Sequence, residues 1–250
     1  MAANPMEQFA IRPIVPLHIG NWDVSFTNSS LWMCIAVAAV ALFLTLSVRP
    51  GALVPSRTQS LAEMTYMFVN DMLHSIAGTE GMRFFPFVFT LFMFVLFANL
   101  FGMIPFSFTA TSHIIVTFAM AAVIFLIVLV VGFSRHGLHF FSLFVPDVPW
   151  YMLPLLIPIE LISFLIRPLT LSVRLFANML AGHTMLQIFA GFVIGLAGAG
   201  GIFALLSPVP VLLITAIVGL EFLVAFLQAY VFTILTCIYL NEAMRLHDDH

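Results

Sequence analysis

"MLPLLIPIELISFLIRPLTLSVRLFANMLAGHTMLQIFAGFVIGLA" occupies positions 152 to 197 and contains no convincing turn. Its prolines, Pro158 and Pro168, bend such a run rather than end it. At 1.5 Å per residue, a helix of this length is roughly 60–70 Å long, against a bilayer core of ~30 Å. The glycine-rich break Gly198-Ala199-Gly200-Gly201 follows. Pro208 or Pro210 suits the first turn of a second long helix, which continues to about Leu246 and measures roughly 55 Å. Either each run breaks into two spans or both helices lie steeply tilted. The lack of loop chemistry inside them favours a hairpin at roughly 60° from the membrane normal. Ordinary tilts reach only ~40°, so something other than lipid must impose this one.

Working outward, the chain is 62% hydrophobic and only 8% charged, well beyond a soluble domain. Its spans must be helical, because lipid cannot satisfy open backbone groups. The alternation of a porin barrel is absent. Leu31 to Val48 is a first span, ending at Arg49-Pro50. Between Arg57 and Gly81, residues Leu61, Met64, Phe68, Met72 and Ile76 share a face, with Glu63, Asn70, Asp71 and His74 off it. Ser60 to Glu63 reads as a capping box and Gly78 as a stop. This amphipathic helix, about 60–78, either lies at the membrane surface or docks on another subunit. Phe84 to Ile104 and His113 to Phe133 are the second and third spans.

The predicted fold is an all-α integral membrane protein. It has a polar tail over 1–30, then three spans with the surface helix over 31–135. A cytoplasmic connection over 136–150 and the tilted two-helix hairpin over 151–250 follow. The tail carries Glu7, Arg12, His18 and Asp23 without an apolar core, so it is not a signal peptide. Arg49, Arg57, Arg83 and Arg135 flank the same ends of the spans. The positive-inside rule puts those ends and the C-terminus, near Arg245, in the cytoplasm or matrix and the N-terminus outside. Arg12 alone opposes this.

The formal net charge is −3 and all eight cations are arginine, so no basic face invites nucleic acid. Cys34 and Cys237 sit in apolar runs and read as small hydrophobes. His136 and His139 lack the acid or cysteine set of a metal site. Ser163 and Ser172 have no hydrolase motif around them, and no nucleotide loop is present. No catalytic residue, metal or cofactor is expected.

The remaining polar groups lie inside the hairpin: Glu160, Arg167, Arg174, His183 and Glu221, with Asn178 and Gln228 beside them. Intramembrane ionisable residues are costly and usually functional. In an antiparallel hairpin, residue numbers at one depth add to a constant. Arg174 with Gln228, His183 with Glu221, and Glu160 with Glu242 all give about 402–404, centred on the glycine break. Glu160, Arg167 and Arg174 are spaced by seven, which keeps them on one stripe. His183 falls about half a turn away. A lone histidine is more often a packing residue, but Glu221 at its level argues otherwise. Arg167 either snorkels toward the cytoplasmic end or belongs to the pathway. Arg174 cannot snorkel from mid-membrane, and its own layer holds no carboxylate. Its counter-charge must come from a partner.

These residues carry a family resemblance. "RPLTLSVRLFANMLAGH" (167–183) resembles the signature of the a subunit of F-type ATP synthase. "NLFGMIP" (99–105) and "FLQAYVFTILTCIYLNEA" (226–243) are similar to two further elements of it. The resemblance covers most of the chain beyond the first thirty residues. It implies a proton-translocating stator subunit facing a rotating ring of c subunits, whose buried carboxylate meets Arg174. It implies peripheral-stalk b-type subunits, other ATP synthase subunits and membrane lipid as partners. The setting would be a bacterial plasma (inner) membrane or the mitochondrial inner membrane. Arg174 would act electrostatically, since arginine does not give up its proton. His183, Glu221 and Asn99 would line an outer half-channel and Glu160 an inner one, with Asn178 and Gln228 alongside. The pair His183 and Glu221 has the order of mitochondrial and related bacterial forms. The rival reading, a secondary ion transporter or channel, would show repeated halves with interrupted helices, and this chain has neither.

Overall fold

Long uncharged runs dictate the helices. A computed structural model describes residues 11–16, 18–19, 22–23, 25–47, 56–104, 108–137, 151–199 and 207–244. Among the described residues there are six α-helices: α1 (Asn28–Ser47), α2 (Arg57–Gly81), α3 (Phe85–Gly102), α4 (Ile114–His136), α5 (Leu153–Ala199) and α6 (Pro208–Met244). A single 3-10 turn, Met82–Phe84, joins α2 to α3. Among the described residues, five helical stretches are long and apolar enough to cross a membrane, with α2 and α3 counted together. The chain is an all-α integral membrane protein.

The ends of these elements depart from the expected ones in instructive places. The tail is not featureless: Pro13–Val15 (β1) pairs antiparallel with Phe26–Thr27 (β4), and His18–Ile19 (β2) with Trp22–Asp23 (β3). The Arg12 amide donates to Asn28 Oδ1 at 3.2 Å, and the Asn28 amide donates to the Arg12 carbonyl at 3.2 Å. These contacts tie the tail to the start of α1. The capping residue of α2 is Ser56, not Ser60. Its hydroxyl accepts from the Gln59 amide at 3.2 Å, and Glu63 accepts from the Gln59 side chain at 2.8 Å. Gly78 does break α2, with φ 63 and ψ −160, a backbone that a side chain would strain. The helix then resumes as far as Gly81. The predicted positions Gly200, Gly201, Arg49, His139, Arg245 and Leu246 lie outside the described residues, as does the connection over 138–150.

The buried face of α2 is rotated from the expected one. Val69, Met72, Leu73 and Ala77 are buried, at helical spacing, while Leu61 and Met64 are 57% and 68% exposed. Apolar residues that the unit does not need thus remain on the first two turns.

The chain divides into two compact units. One comprises Met1–Leu46, Met93–His113 and Leu175–Ala229; the other comprises Ser47–Phe92, Ile114–Arg174 and Tyr230–His250. In the first, the ring of Phe43 on α1 packs 5.7 Å from that of Phe97 on α3. Leu175 and Met179 of α5 and Ala225 and Ala229 of α6 are buried. In the second, Tyr66 on α2 meets Phe85 edge-on at 4.6 Å. α4 buries one face, Ala121, Ile124, Val128 and Val131. Phe125 packs on Phe164 of α5 at 5.0 Å. Pairs of this kind add about 0.5–1.5 kcal/mol each beyond the area they bury. The hydroxyls of Thr117 and Ser172 satisfy each other at 3.1 Å within this core. In an apolar solvent such a buried pair is worth keeping, because neither group has water to fall back on.

Candidate polar pathway residues

The two units hold polar groups of different character. In the second unit the polar group centres on Arg167. Its Nη1 pairs with Glu242 Oε2 from α6, and its Nη2 lies 4.0 Å from Glu160 Oε1. The guanidinium stands over the Tyr239 ring at 5.2 Å and the Phe164 ring at 5.8 Å. Such contacts stabilise a cation where water is scarce. Arg167 is therefore not a free snorkelling residue. Glu160 and Glu242, expected as an acidic layer, are joined through this arginine. The side chains are 27% (Arg167), 42% (Glu160) and 36% (Glu242) exposed. The cluster lies at the edge of the unit rather than in its core.

Arg174 closes this unit's part of α5 and is exposed. No ion pair to it occurs among the described residues. The buried face of α5 runs through Phe164, Leu171 and Ser172 here, and Arg174 points off that face. Leu155, Ile159, Ile162, Ile166 and Thr170 are also exposed, at helical spacing. In the first unit's part of α5, Ala177, Ala181, Met185, Ile188 and Phe192 are exposed at the same spacing.

In the first unit the polar groups lie on α3, α5, α6 and the connection between α3 and α4. His183 is half-buried on α5, and its Nε2 lies 3.2 Å from Thr109 Oγ1. Glu221 is half-buried on α6 and faces the backbone of Gly182, one residue before the histidine. A Cβ at position 182 would lie 3.1 Å from Glu221 Cγ and closer still to the carboxylate. Glycine is what lets the acid approach α5 so closely. Asn99 on α3 is fully buried, and its Nδ2 donates to the Ala225 carbonyl at 3.4 Å. Gln228 on α6 is 5% exposed; Asn178 on α5 is half-buried. Asn99 Oδ1, Glu221 Oε1 and Gln228 Nε2 are buried atoms with no hydrogen-bond partner among the described residues. Arg174 and Gln228 fall in different units.

Two polar residues of this unit escaped the sequence reading. Thr109 sits in the short connection between α3 and α4, where nothing in the pattern marks a hydroxyl as special. Gln187 has a buried Oε1 of the same unbonded kind. It lies four residues after His183 and so on the same helical face, a spacing that could have found it.

Residues 30–241 match the family model described as ATP synthase A chain. The chain is 57% identical over 256 residues to the ATP synthase subunit a of Chelativorans sp. (strain BNC1), covering 100% of both. It is 55% identical over 251 residues to that of Agrobacterium fabrum, again covering 100% of both. Against the subunit a of Parvibaculum lavamentivorans it is 54% identical, over 99% of this chain and 95% of the relative.

Proposed function

The chain belongs to the ATP synthase A chain family. From that premise we propose that it is the stationary, proton-conducting membrane subunit of an F-type ATP synthase. Two offset, hydrated half-channels lead protons to and from a rotating ring of small subunits. Each ring subunit carries a carboxylate within the membrane. Because the half-channels do not meet, a proton crosses only by riding the ring, and the turning ring drives ATP synthesis elsewhere in the complex. The N-terminus lies outside and the C-terminus in the cytoplasm or matrix, in a bacterial plasma (inner) membrane or the mitochondrial inner membrane.

The observation that carries this reading is the exposure of Arg174 without an ion pair among the described residues. A lone cation in lipid costs at least ~2.5–3.5 kcal/mol, and arginine cannot escape that cost by losing its proton. A carboxylate from outside the chain removes it. Thr170 and Ala177, the exposed neighbours one turn away on α5, are small enough for a partner helix to come close. Arg174 then favours the ionised ring carboxylate in front of it and repels protons that would leak between the half-channels.

On the outer side, His183, Glu221, Asn99, Asn178 and Gln228 conduct. The unbonded buried atoms of Asn99, Glu221 and Gln228 suit water-filled space, because buried polar atoms otherwise find protein partners. On the inner side, Glu160 receives the released proton, beside Arg167 and Glu242. The long helices α5 and α6, about 70 Å and 55 Å at 1.5 Å per residue, fit a steeply tilted hairpin shaped by the curved wall of the ring. Its levels pair His183 with Glu221 and Glu160 with Glu242.

Cysteine crosslinking in the assembled complex tests the surface. Thr170→Cys and Ala177→Cys should each form a disulfide with a cysteine next to the ring carboxylate, whereas Leu171→Cys, on the buried face, should not. Crosslinking through Leu171→Cys alone, or through none of the three, would overturn the assignment.

A further inference from the structure

We propose that Thr109 is a positioning residue for His183, holding its imidazole as the Nε2–H tautomer so that Nδ1 is the nitrogen that takes up the proton. This rests on the reading of His183 as part of the outer proton path.

The assignment follows from counting hydrogens. Thr109 is buried, 5% exposed, and its hydroxyl has one hydrogen to give. That hydrogen goes to the Gly102 carbonyl, 3.1 Å away at the end of α3, since a carbonyl only accepts. Toward His183 Nε2, at 3.2 Å, the same oxygen then offers a lone pair. Nε2 must therefore donate. A neutral imidazole carries one N–H, so Nδ1 is left as the base. Uptake adds one proton at Nδ1 and release removes it, while Nε2–H remains bonded to Thr109 in both states. The ring thus keeps one orientation through the cycle. The connection itself is held by Ser112, whose hydroxyl donates to the Thr109 carbonyl at 2.6 Å.

The test uses the assembled synthase in vesicles, comparing the parent with Thr109→Val, Thr109→Ser and His183→Ala. Valine matches threonine in shape but lacks the hydroxyl; serine restores it. Proton-driven ATP synthesis should fall about five- to tenfold in Thr109→Val, the scale of one lost hydrogen bond, and stay within about twofold of the parent in Thr109→Ser. Nitrogen-15 spectra of labelled His183 should place the proton of the neutral ring on Nε2 in the parent and in Thr109→Ser. In Thr109→Val the two tautomers should mix, which loss of a cap on α3 alone would not cause. A parent ring protonated on Nδ1 overturns the proposal without any variant. Parental synthesis in Thr109→Val alongside impaired His183→Ala overturns it while leaving the proton path intact. Parental synthesis in His183→Ala removes the histidine from the path and the proposal with it.

Discussion

Arg167 and Glu221 are both ionisable residues in helices that cross lipid, and the molecule treats them in opposite ways. Arg167 has a carboxylate on each side and two aromatic faces beneath it. Glu221 leaves a carboxylate oxygen buried and unbonded among the described residues, pressed against a glycine. The Arg167 cluster saturates its charges, whereas Asn99, Glu221 and Gln228 each keep a buried polar atom in reserve, without a hydrogen bond among the described residues. Saturation suits a group whose work is to hold a shape. Reserve suits groups that must take up and pass on a proton, since a proton already committed to a strong partner does not move. The contrast fits the proposed roles, in which Arg167 and Glu242 mainly hold the shape and the residues around His183 conduct on the outer side.

Substitutions can break that contrast. The largest effect is expected from Glu221→Gln. It removes the titrating group while filling the same space, and it relieves a buried charge of its desolvation. Proton-driven synthesis should drop about tenfold or more, while the thermal stability of the purified complex stays the same or rises. A full rate of synthesis would take Glu221 out of the path. A smaller effect, of the opposite kind, is expected from Arg167→Gln, which strands Glu160 and Glu242 without their cation. Because the three side chains are partly exposed, the cost should be about 1–3 kcal/mol, read as a lower unfolding temperature and weaker assembly. If Arg167→Gln proves neutral for stability while Glu221→Gln destabilises, the division of labour is the reverse of the one drawn here.

The sequence made some of this legible and hid the rest for physical reasons. The helices of α5 and α6 were plain, because 47 and 37 residues without loop chemistry admit little else in lipid. Arg174 was plain because a permanent charge in an apolar run demands an explanation. The link between Arg167 and Glu242 was hidden. Depth arithmetic places backbones, and an arginine and a glutamate reaching toward each other together span about two turns, ~11 Å. It therefore set the two acids together and left the arginine between them unassigned. Thr109 was hidden for a different reason: it acts from a short connection whose path no periodicity encodes. The cap of α2 moved from Ser60 to Ser56 because several hydroxyls stand near that helix start, and only backbone geometry chooses among them. The short strand pairs of the tail were missed because two- and three-residue strands carry too few side chains to show alternation.

The central claim is that Arg174 is a cation waiting for a carboxylate that another subunit brings. It is tested most directly by measuring, in vesicles with assembly verified, both proton-driven ATP synthesis and passive proton flux in Arg174→Ala. Synthesis should be abolished, because nothing then favours ionisation at the ring contact. Protons should also run down their gradient without rotation, because the barrier between the half-channels is gone. Arg174→Lys should fail in synthesis as well, with less leak, since a compact, strongly hydrated ammonium does not reproduce the guanidinium. Normal synthesis in Arg174→Ala, with a membrane as tight as the parent's, would contradict the account.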